Sequence, residues 1–458
     1  MQWAGFLIYL SVVALWAVLF SRSVWLDNIW AWSAGIVYIL YDTVLMLIVV
    51  WQTLPIRKPQ IAEKPLQGFK RPSLGIIIAA HNEAKNLPAA LAAIFRQIDS
   101  PEQILIVDDG SSDSTCEYLT RTFNFALPSI GHTSEASVTN STIRLLRLAH
   151  TGKARALNIA LEHIDTDIVV TLDADTFLAP DAISEMREAF AADEQLVAAC
   201  GVLVPVCNPD ATGRVMQWFQ TYEYVRNIIA RFAWMKTNSL LLISGAFAGF
   251  RRGALVAVGG FDPNCLVEDY ELTHRMHRYA IDHGLMWKLN VVGTAIAQTE
   301  APSTLTTFLR QRRRWFAGFL QTQYWNRDMT GNWRYGALGK YMLPIKAIDT
   351  FQPVYGLTGF VLLMVLIFTG NSEIAIPVFG IVTAKIAIDF LAYLWTVRLY
   401  RRLTGGRVAV SLWSAAFAAI FEPFSFQLLR HAGAAWGWIG FLRGNTSWGT
   451  SAVALPSR

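Results

Sequence analysis

Apolar and polar positions along this chain follow two different patterns. Near the start, Trp3 to Phe20 carries no charge and is long enough to cross a bilayer core at about 1.5 Å per residue. It lacks a basic n-region and no small-residue cleavage site follows, so it reads as a retained anchor rather than a signal peptide. A second apolar run covers about Ile29 to Trp51, and two more, about Phe351 to Thr369 and Ile374 to Leu394, lie toward the other end. The later of these carries Lys385 and Asp389, opposite in sign and one helical turn apart, a spacing that allows pairing inside a bundle. The final apolar stretch, about Val408 to Leu442, is interrupted by Glu422-Pro423 and by Arg430-His431. It reads either as one span plus an interfacial helix or as a broken re-entrant hairpin.

Between the apolar ends the period changes. Leu74 to Ala80 is a short continuous apolar run suited to a strand buried on both faces, followed by a helical stretch from about Ala84 to Gln97. Further strands are expected at Gln103 to Val107, Ile143 to Leu148 and Asp167 to Leu172, with a helix at about Lys153 to His163. This alternation predicts an α/β domain with a Rossmann-like parallel sheet and right-handed crossovers, whose ligands bind at the carboxyl ends of the strands. Two acidic clusters, Asp108-Asp109 and Asp173-Ala174-Asp175, fall at such ends. Phe125 to Thr142, rich in Ser and Thr and without obvious periodicity, is expected to be a surface loop.

Composition sharpens the division. Charged residues make up 16% of the 458 positions, against about a quarter in soluble domains, and the deficit is concentrated at the apolar ends. The basic residues Arg57, Lys58, Lys64, Lys70 and Arg71 follow the second run, and Arg398 to Arg407 follows the fourth. Their excess places the central domain on the cytoplasmic side. A net charge of +5 is too diffuse to indicate nucleic acid as a partner. The four cysteines stand at irregular spacings, without a metal-ligand pattern, and fit a reduced cytosolic setting.

Candidate chemistry starts from the carboxylates. Asp173 and Asp175 offer hard oxygen ligands of the kind Mg2+ or Mn2+ takes, and a nucleotide diphosphate needs such a cation before it can sit among carboxylates. Position makes the pair informative, because it directly follows the strand-like run Ile-Val-Val-Thr-Leu.

Six segments occur in a telling order: Ala80-His81-Asn82-Glu83, Val107-Asp108-Asp109-Gly110-Ser111, Gly152-Lys153-Ala154, Asp173-Ala174-Asp175, Val267-Glu268-Asp269 and Gln311-Arg312-Arg313-Arg314-Trp315. In that order they resemble the processive family-two membrane glycosyltransferases, which include cellulose, hyaluronan, chitin and poly-N-acetylglucosamine synthases. The resemblance implies a cytoplasmic GT-A domain flanked by transmembrane helices. It implies a UDP-sugar donor, with the backbone around Ala80, His81, Asn82 and Glu83 holding the uridine together with Asp108 or Asp109, and Lys153 near the nucleotide. Asp175, with Asp173, would coordinate Mg2+ or Mn2+ on the diphosphate. Asp269, beside Glu268, would be the general base, while Gln311, Arg314 and Trp315 would line the acceptor end. The family commonly has Thr where this chain has Val267, so a hydroxyl beside the base is missing here. The expected product is a β-linked exopolysaccharide, made with inversion and exported. Single-sugar transfer to a membrane lipid fits the same residues, and a binding subunit with an inactive domain is disfavoured by the intact carboxylates.

The expected organisation is two transmembrane helices within 1–55, a glycosyltransferase domain over 70–300, amphipathic interfacial helices over 301–345 carrying the Gln-x-x-Arg-Trp motif, and two to three membrane helices within 346–458. Expected partners are the UDP-sugar, a glycan or lipid acceptor, membrane lipids and a small accessory membrane subunit, in a bacterial inner membrane. Of Arg310, Arg312, Arg313 and Arg314, some are expected to face lipid headgroups while Arg314 turns toward the site. His274 and His277 are expected on a solvated or interdomain helix rather than in a metal site. Gly245 and Gly249 are expected where backbone approaches sugar. Tyr222, Glu223 and Tyr224 divide evenly between acceptor contact and packing, and Trp436, Trp438 and Trp448 suit an interfacial belt.

Overall fold

The computed structural model describes residues 2–26, 28–54, 71–138, 141–370 and 372–444. Asp27, the basic positions Arg57, Lys58, Lys64 and Lys70, and Trp448 lie outside the described residues. Helices α1 (Gln2–Trp25) and α2 (Ser33–Thr53) precede strand β1 (Leu74–Ala80) and helix α3 (Leu87–Phe95). The chain continues through β2 (Gln103–Asp109), α4 (Thr115–Phe123), β3 (Thr133–Val138), β4 (Ser141–Leu148), α5 (Lys153–Glu162), β5 (Ile168–Asp173), β6 (Thr176–Leu178) and α6 (Ala182–Ala192). Then come β7 (Leu196–Val206), α7 (Ala211–Met235), β8 (Phe247–Arg251), α8 (Arg252–Ala257), α9 (Glu268–Asp282), β9 (Lys288–Glu300) and α10 (Leu305–Trp325). The last elements are α11 (Leu343–Thr369), α12 (Ser372–Leu403), α13 (Leu412–Phe421) and α14 (Phe426–Leu442).

The nine strands form one sheet in the order β3-β4-β2-β1-β5-β8-β7-β9-β6. Strands β4, β2, β1 and β5 run parallel, the pattern expected of strands joined through helices. Side chains alternate between two layers: Ile77, Leu105 and Val107 pack with α5 and α7, while Ile76, Ile78 and Ile104 pack with α3 and α6. Beyond β5 the sheet becomes mixed, because β8 pairs antiparallel with both β5 and β7.

Two local expectations change. The Ser/Thr-rich insert contains an edge strand, β3, antiparallel to β4, with Glu135 opposite Arg144 and their side chains 2.8 Å apart. Its inner positions are Ser134, Ala136 and Val138, so its apolar signal is too weak to read as alternation; cross-strand pairing supplies what hydrophobicity does not. Helix α3 starts at Leu87, later than periodicity suggests. The preceding turn is bound to the β2–α4 loop, with Glu83 N–H donating to Thr115 Oγ1 (2.9 Å) and Ala84 N–H to Asp113 (3.2 Å).

Among the described residues four helices are long and apolar enough to cross a membrane: Trp3–Trp25, Ile29–Thr53, Leu338–Thr369 and Ser372–Leu403, with mean hydropathies from 1.9 to 2.2. Helices α13 and α14 qualify only together, and they meet at 49° across the Glu422–Ser425 break. Lys385 pairs with Asp389, and also with Asp42 of α2 at 2.6 Å. Gln352 of α11 donates to Asp42 at 3.1 Å, so one polar cluster ties three of these helices together. Helix α14 lies against α10 along Gly433 and Gly437. A Cβ at Gly433 would fall 2.6 Å from Arg312 Cβ, and one at Gly437 2.8 Å from the Arg313 carbonyl oxygen. Only residues without side chains let the two backbones approach so closely.

Candidate active site

The parallel half of the sheet delivers Ala80, Asp109 and Asp173 to one edge, at the carboxyl ends of β1, β2 and β5. Asn82 adopts φ 59° and uses its side-chain oxygen to accept from the Ser112 (2.8 Å) and Asp113 (3.2 Å) N–H groups. Asp109 accepts from Thr151 N–H and Oγ1 (2.7 and 2.9 Å) and from Gly152 N–H (2.9 Å). Asp108 accepts from Ser111 N–H at 3.1 Å. Both carboxyls are buried and already committed to backbone. Gly110 has to be glycine: φ is +71° and a Cβ would fall 2.6 Å from His150 N. The rings of His81 and His150 stack at 4.3 Å between centroids over this lattice. It is a rigid shelf, and it leaves the His81, Asn82 and Glu83 side chains at its rim.

Beside the shelf lies a cavity of about 730 Å³. Lys153, Asp173, Asp175, Glu268 and Asp269 line one end, with Gln311, Arg314 and Trp315 of α10 along its wall. Lys153, first residue of α5, bridges Asp173 (2.5 Å) and Glu268 (3.6 Å). Burial alone would lower its pKa, but the two carboxylates outweigh burial and hold the ammonium well above its ordinary value. At Asp175 the balance is reversed: burial first, then Asp173 and Glu83, outweigh the opposing charge of Lys153 and push its carboxyl up to about 7. Burial likewise raises Glu83.

This surplus of buried negative charge is a test of whether a dication fits. Asp173 and Asp175 supply two carboxylates, and no group of three or more His, Cys, Asp or Glu suited to a metal is present among the described residues. Two protein ligands with the rest from water and phosphate is how Mg2+ is usually held, so the residues fit. Lys153 engages only one oxygen of Asp173.

Asp269 stands in the first turn of α9, where the helix N-terminus favours a carboxylate. It accepts from Gly245 N–H (2.9 Å) and Tyr270 N–H (2.8 Å). Burial and the neighbouring Glu268 nevertheless raise its pKa, so its conjugate acid is held by more than an ordinary surface carboxylate holds one. Gly245 thus meets Asp269. Gly249 lies within β8 against Phe190 and Met186, which corrects the expectation that it borders a ligand.

His274 and His277 are not on a solvated face. Both are buried, bonded to the Tyr270 and Leu240 carbonyls at 2.8 Å, because Arg275 and Arg278 are drawn off to Glu271 and Asp328. Tyr222 packs, donating to the Ser411 carbonyl at 3.2 Å, whereas Glu223 and Tyr224 line the cavity. Of the arginines beside the motif, Arg312 is not one that faces headgroups: it is buried and pairs with Glu223 at 2.7 Å. Trp436 lies beneath the Arg313 guanidinium, and Trp438 donates to the Thr350 carbonyl. Residues not singled out from the sequence include Asn227 and Arg231, which line the cavity with Glu223. Their spacing along α7 is one polar row of a helix, and that row was the available signal. The cavity does not end at the sheet: Asp42, Gln352, Lys385 and His431 line it among the long apolar helices.

The family model for glycosyl transferase family group 2 matches residues 168–429, and that for glycosyl transferase family 2 matches residues 75–259. The chain is 27% identical over 265 residues to the poly-beta-1,6-N-acetyl-D-glucosamine synthase of Staphylococcus aureus (strain COL), covering 57% of each chain. It is 26% identical over 290 residues to the synthase of the same name from Staphylococcus epidermidis, covering 62% of each. The match therefore spans under two thirds of these relatives. Among solved structures, the mannosyltransferase PcManGT from Pyrobaculum calidifontis, in complex with GDP-Man and Mn2+, shares the fold with a TM-score of 0.56 and 20% identity. The likeness covers 86% of this chain and 99% of that one.

Proposed function

Because this chain belongs to glycosyl transferase family group 2, and is thereby a glycosyltransferase, we propose that it is a polymer synthase that lengthens a β-linked glycan from a UDP-sugar. The observation that carries this reading is the cavity. It is lined by the Asp173, Asp175 and Asp269 carboxylates, by Trp315, and by Asp42 and Lys385 among the apolar helices, which supports a product that grows from the carboxylates toward those helices. The similarity to synthases of poly-β-1,6-N-acetylglucosamine supports N-acetylglucosamine, with glucose the other candidate. The transferase domain over about 70–300 faces the cytoplasm and the apolar helices cross the bacterial inner membrane several times.

The step is a displacement at the anomeric carbon. The acceptor hydroxyl oxygen forms the new bond to C1 as the C1–O bond to the diphosphate breaks, and the electron pair departs with the diphosphate. The hydroxyl proton passes to the Asp269 carboxylate, whose raised pKa suits it to receiving one. Attack from the opposite face inverts an α-linked donor to a β-linkage. Asp173 and Asp175 would hold Mg2+ or Mn2+, and the cation would supply charge neutralisation to the diphosphate. Lys153 and Arg314 place further positive charge along the leaving group, and the shelf of Ala80, His81, Asn82, Glu83 and Asp109 receives the uridine. Gln311 and Trp315 hold the acceptor sugar.

A second reading comes from the same cavity: the apolar helices that contribute to its lining suit a lipid acceptor, which would receive one sugar. Purified protein in nanodiscs, given UDP-N-acetylglucosamine or UDP-glucose with Mg2+ or Mn2+, is expected to release UDP and build long water-soluble chains. A single-sugar product that partitions into organic solvent establishes the second reading instead. Asp269→Asn should lower kcat by about 10²–10⁴-fold; turnover at the wild-type rate overturns the base assignment.

A further inference from the structure

Arg312 is one of the middle residues of the Gln-x-x-Arg-Trp motif, and its surroundings are unlike those of its neighbours. Its guanidinium lies 4.6 Å from the centre of the Phe308 ring and 4.3 Å from that of Trp315. Two turns of α10 therefore bring ring, cation and ring together. The charge is met by Glu223 of α7 at 2.7 Å, with both side chains at 5% exposure or less. Glu223 is itself 3.7 Å from Arg430 of α14, and Arg430 reaches Glu422 at 3.3 Å in the break before that helix. From behind, Gly433 of α14 presses on Arg312 Cβ at a position where a methyl would stand only 2.6 Å away. The guanidinium is held by Glu223 and by the two rings, and it lies against Trp315, which lines the cavity.

The geometry points to a positioning role: the Glu223–Arg312 pair fixes the plane of the Trp315 ring and so sets how tightly the acceptor sugar is held. This rests on the reading of Trp315 as the acceptor platform. An indole with a rigid guanidinium behind it presents a single orientation to a sugar, and stacking is sensitive to that orientation. A planar, fork-shaped cation suits both tasks, bonding a carboxylate in plane and stacking an aromatic out of plane, and lysine does only the first. The pair also joins the acceptor end to the break between α13 and α14 through the alternating charges of Arg312, Glu223, Arg430 and Glu422.

The test compares Arg312→Lys, Glu223→Gln and the double variant with wild type, in nanodiscs. A β-linked N-acetylglucosamine oligosaccharide serves as acceptor, and its apparent KM is measured separately from that of the donor. Each single variant is expected to raise acceptor KM by ten-fold or more while leaving donor KM and metal dependence within two-fold, and the double variant to be no worse than the more damaged single. Equal increases in both KM values, or unchanged acceptor KM, overturn the inference. Should Glu223→Gln fail to fold, Glu223→Asp, which keeps the charge and retracts it by one methylene, is read in its place. Wild-type protein that ignores the oligosaccharide but glycosylates lipid overturns the polymer reading alone; the same KM comparison is then made with that lipid.

Discussion

Adding one methyl group at Gly437 probes the contact that places the α10 wall of the cavity. The new Cβ would stand 2.8 Å from the Arg313 carbonyl oxygen, 2.9 Å from Phe316 Cβ and 3.1 Å from Ala317 N, all on α10. Two of these three atoms are backbone and cannot rotate aside. Restoring a separation of about 3.5 Å moves α14 away from α10 by roughly 0.6 Å. Overpacking of this kind costs about 1–3 kcal/mol. Replacing glycine by alanine inside a helix also gains about 1 kcal/mol of propensity, so the net loss is small and an absolute measurement would be ambiguous. Gly380, within α12, removes the ambiguity, because a Cβ there meets nothing within 4 Å. The propensity gain is common to Gly437→Ala and Gly380→Ala and cancels in their difference, leaving the overpacking term of about 1–3 kcal/mol. Thermal melting of both variants in the same detergent reads that difference. Sugar transfer should fall as well, since α10 carries Gln311, Arg314 and Trp315, and a displacement near 1 Å costs about 10²-fold. About ten-fold is expected for the smaller shift, with Gly380→Ala at wild-type rate. If Gly437→Ala melts and turns over like Gly380→Ala, the close approach of α10 and α14 is not what holds the α10 wall of the cavity.

Two further outcomes follow from buried charge. Burial lowers His274 to about 4 from an ordinary 6.5; between those values the unfolded chain binds a proton that the folded one does not, so folding stability falls as pH drops from about 6.5 to about 4, by up to about 3 kcal/mol. Melting temperature measured across this range should show the slope in wild type and a weaker one in His274→Gln; equal slopes remove His274 from the account. Lys385→Met leaves Asp42 and Asp389 facing each other among apolar helices and should cost about 3–5 kcal/mol. Lys385→Arg should recover most of it, and an unchanged melting temperature for the methionine variant would show that this cluster is not held by charge.

The legible parts of the chain are those whose information is local. Strand β1 and its helix partners could be read because Leu74 to Ala80 is apolar at every position, and the acidic clusters because each directly follows a strand. Strand β3 was missed for the opposite reason: with Ala136 and Val138 as its apolar residues, it exists through its pairing with β4. Residue type leaves a solvated and a packed helix equally open for His274 and His277, and burial selects the packed one, with Arg275 and Arg278 turned to Glu271 and Asp328. Which of the motif's arginines is buried is likewise not local information, since Arg312 is met by Glu223 of α7.

By itself the sequence determined the order of apolar spans and αβ units and the carboxylates at the strand ends, since hydrophobic period and residue type act over a few positions. Only the tertiary structure decided that Lys385 meets Asp42, that Glu223 meets Arg312, and that Gly433 and Gly437 bring α14 onto α10. These contacts join segments far apart in the chain. Which pairs form depends on how whole helices pack, and a cavity that runs from the carboxylates into the apolar helices is a property of that packing rather than of any one segment.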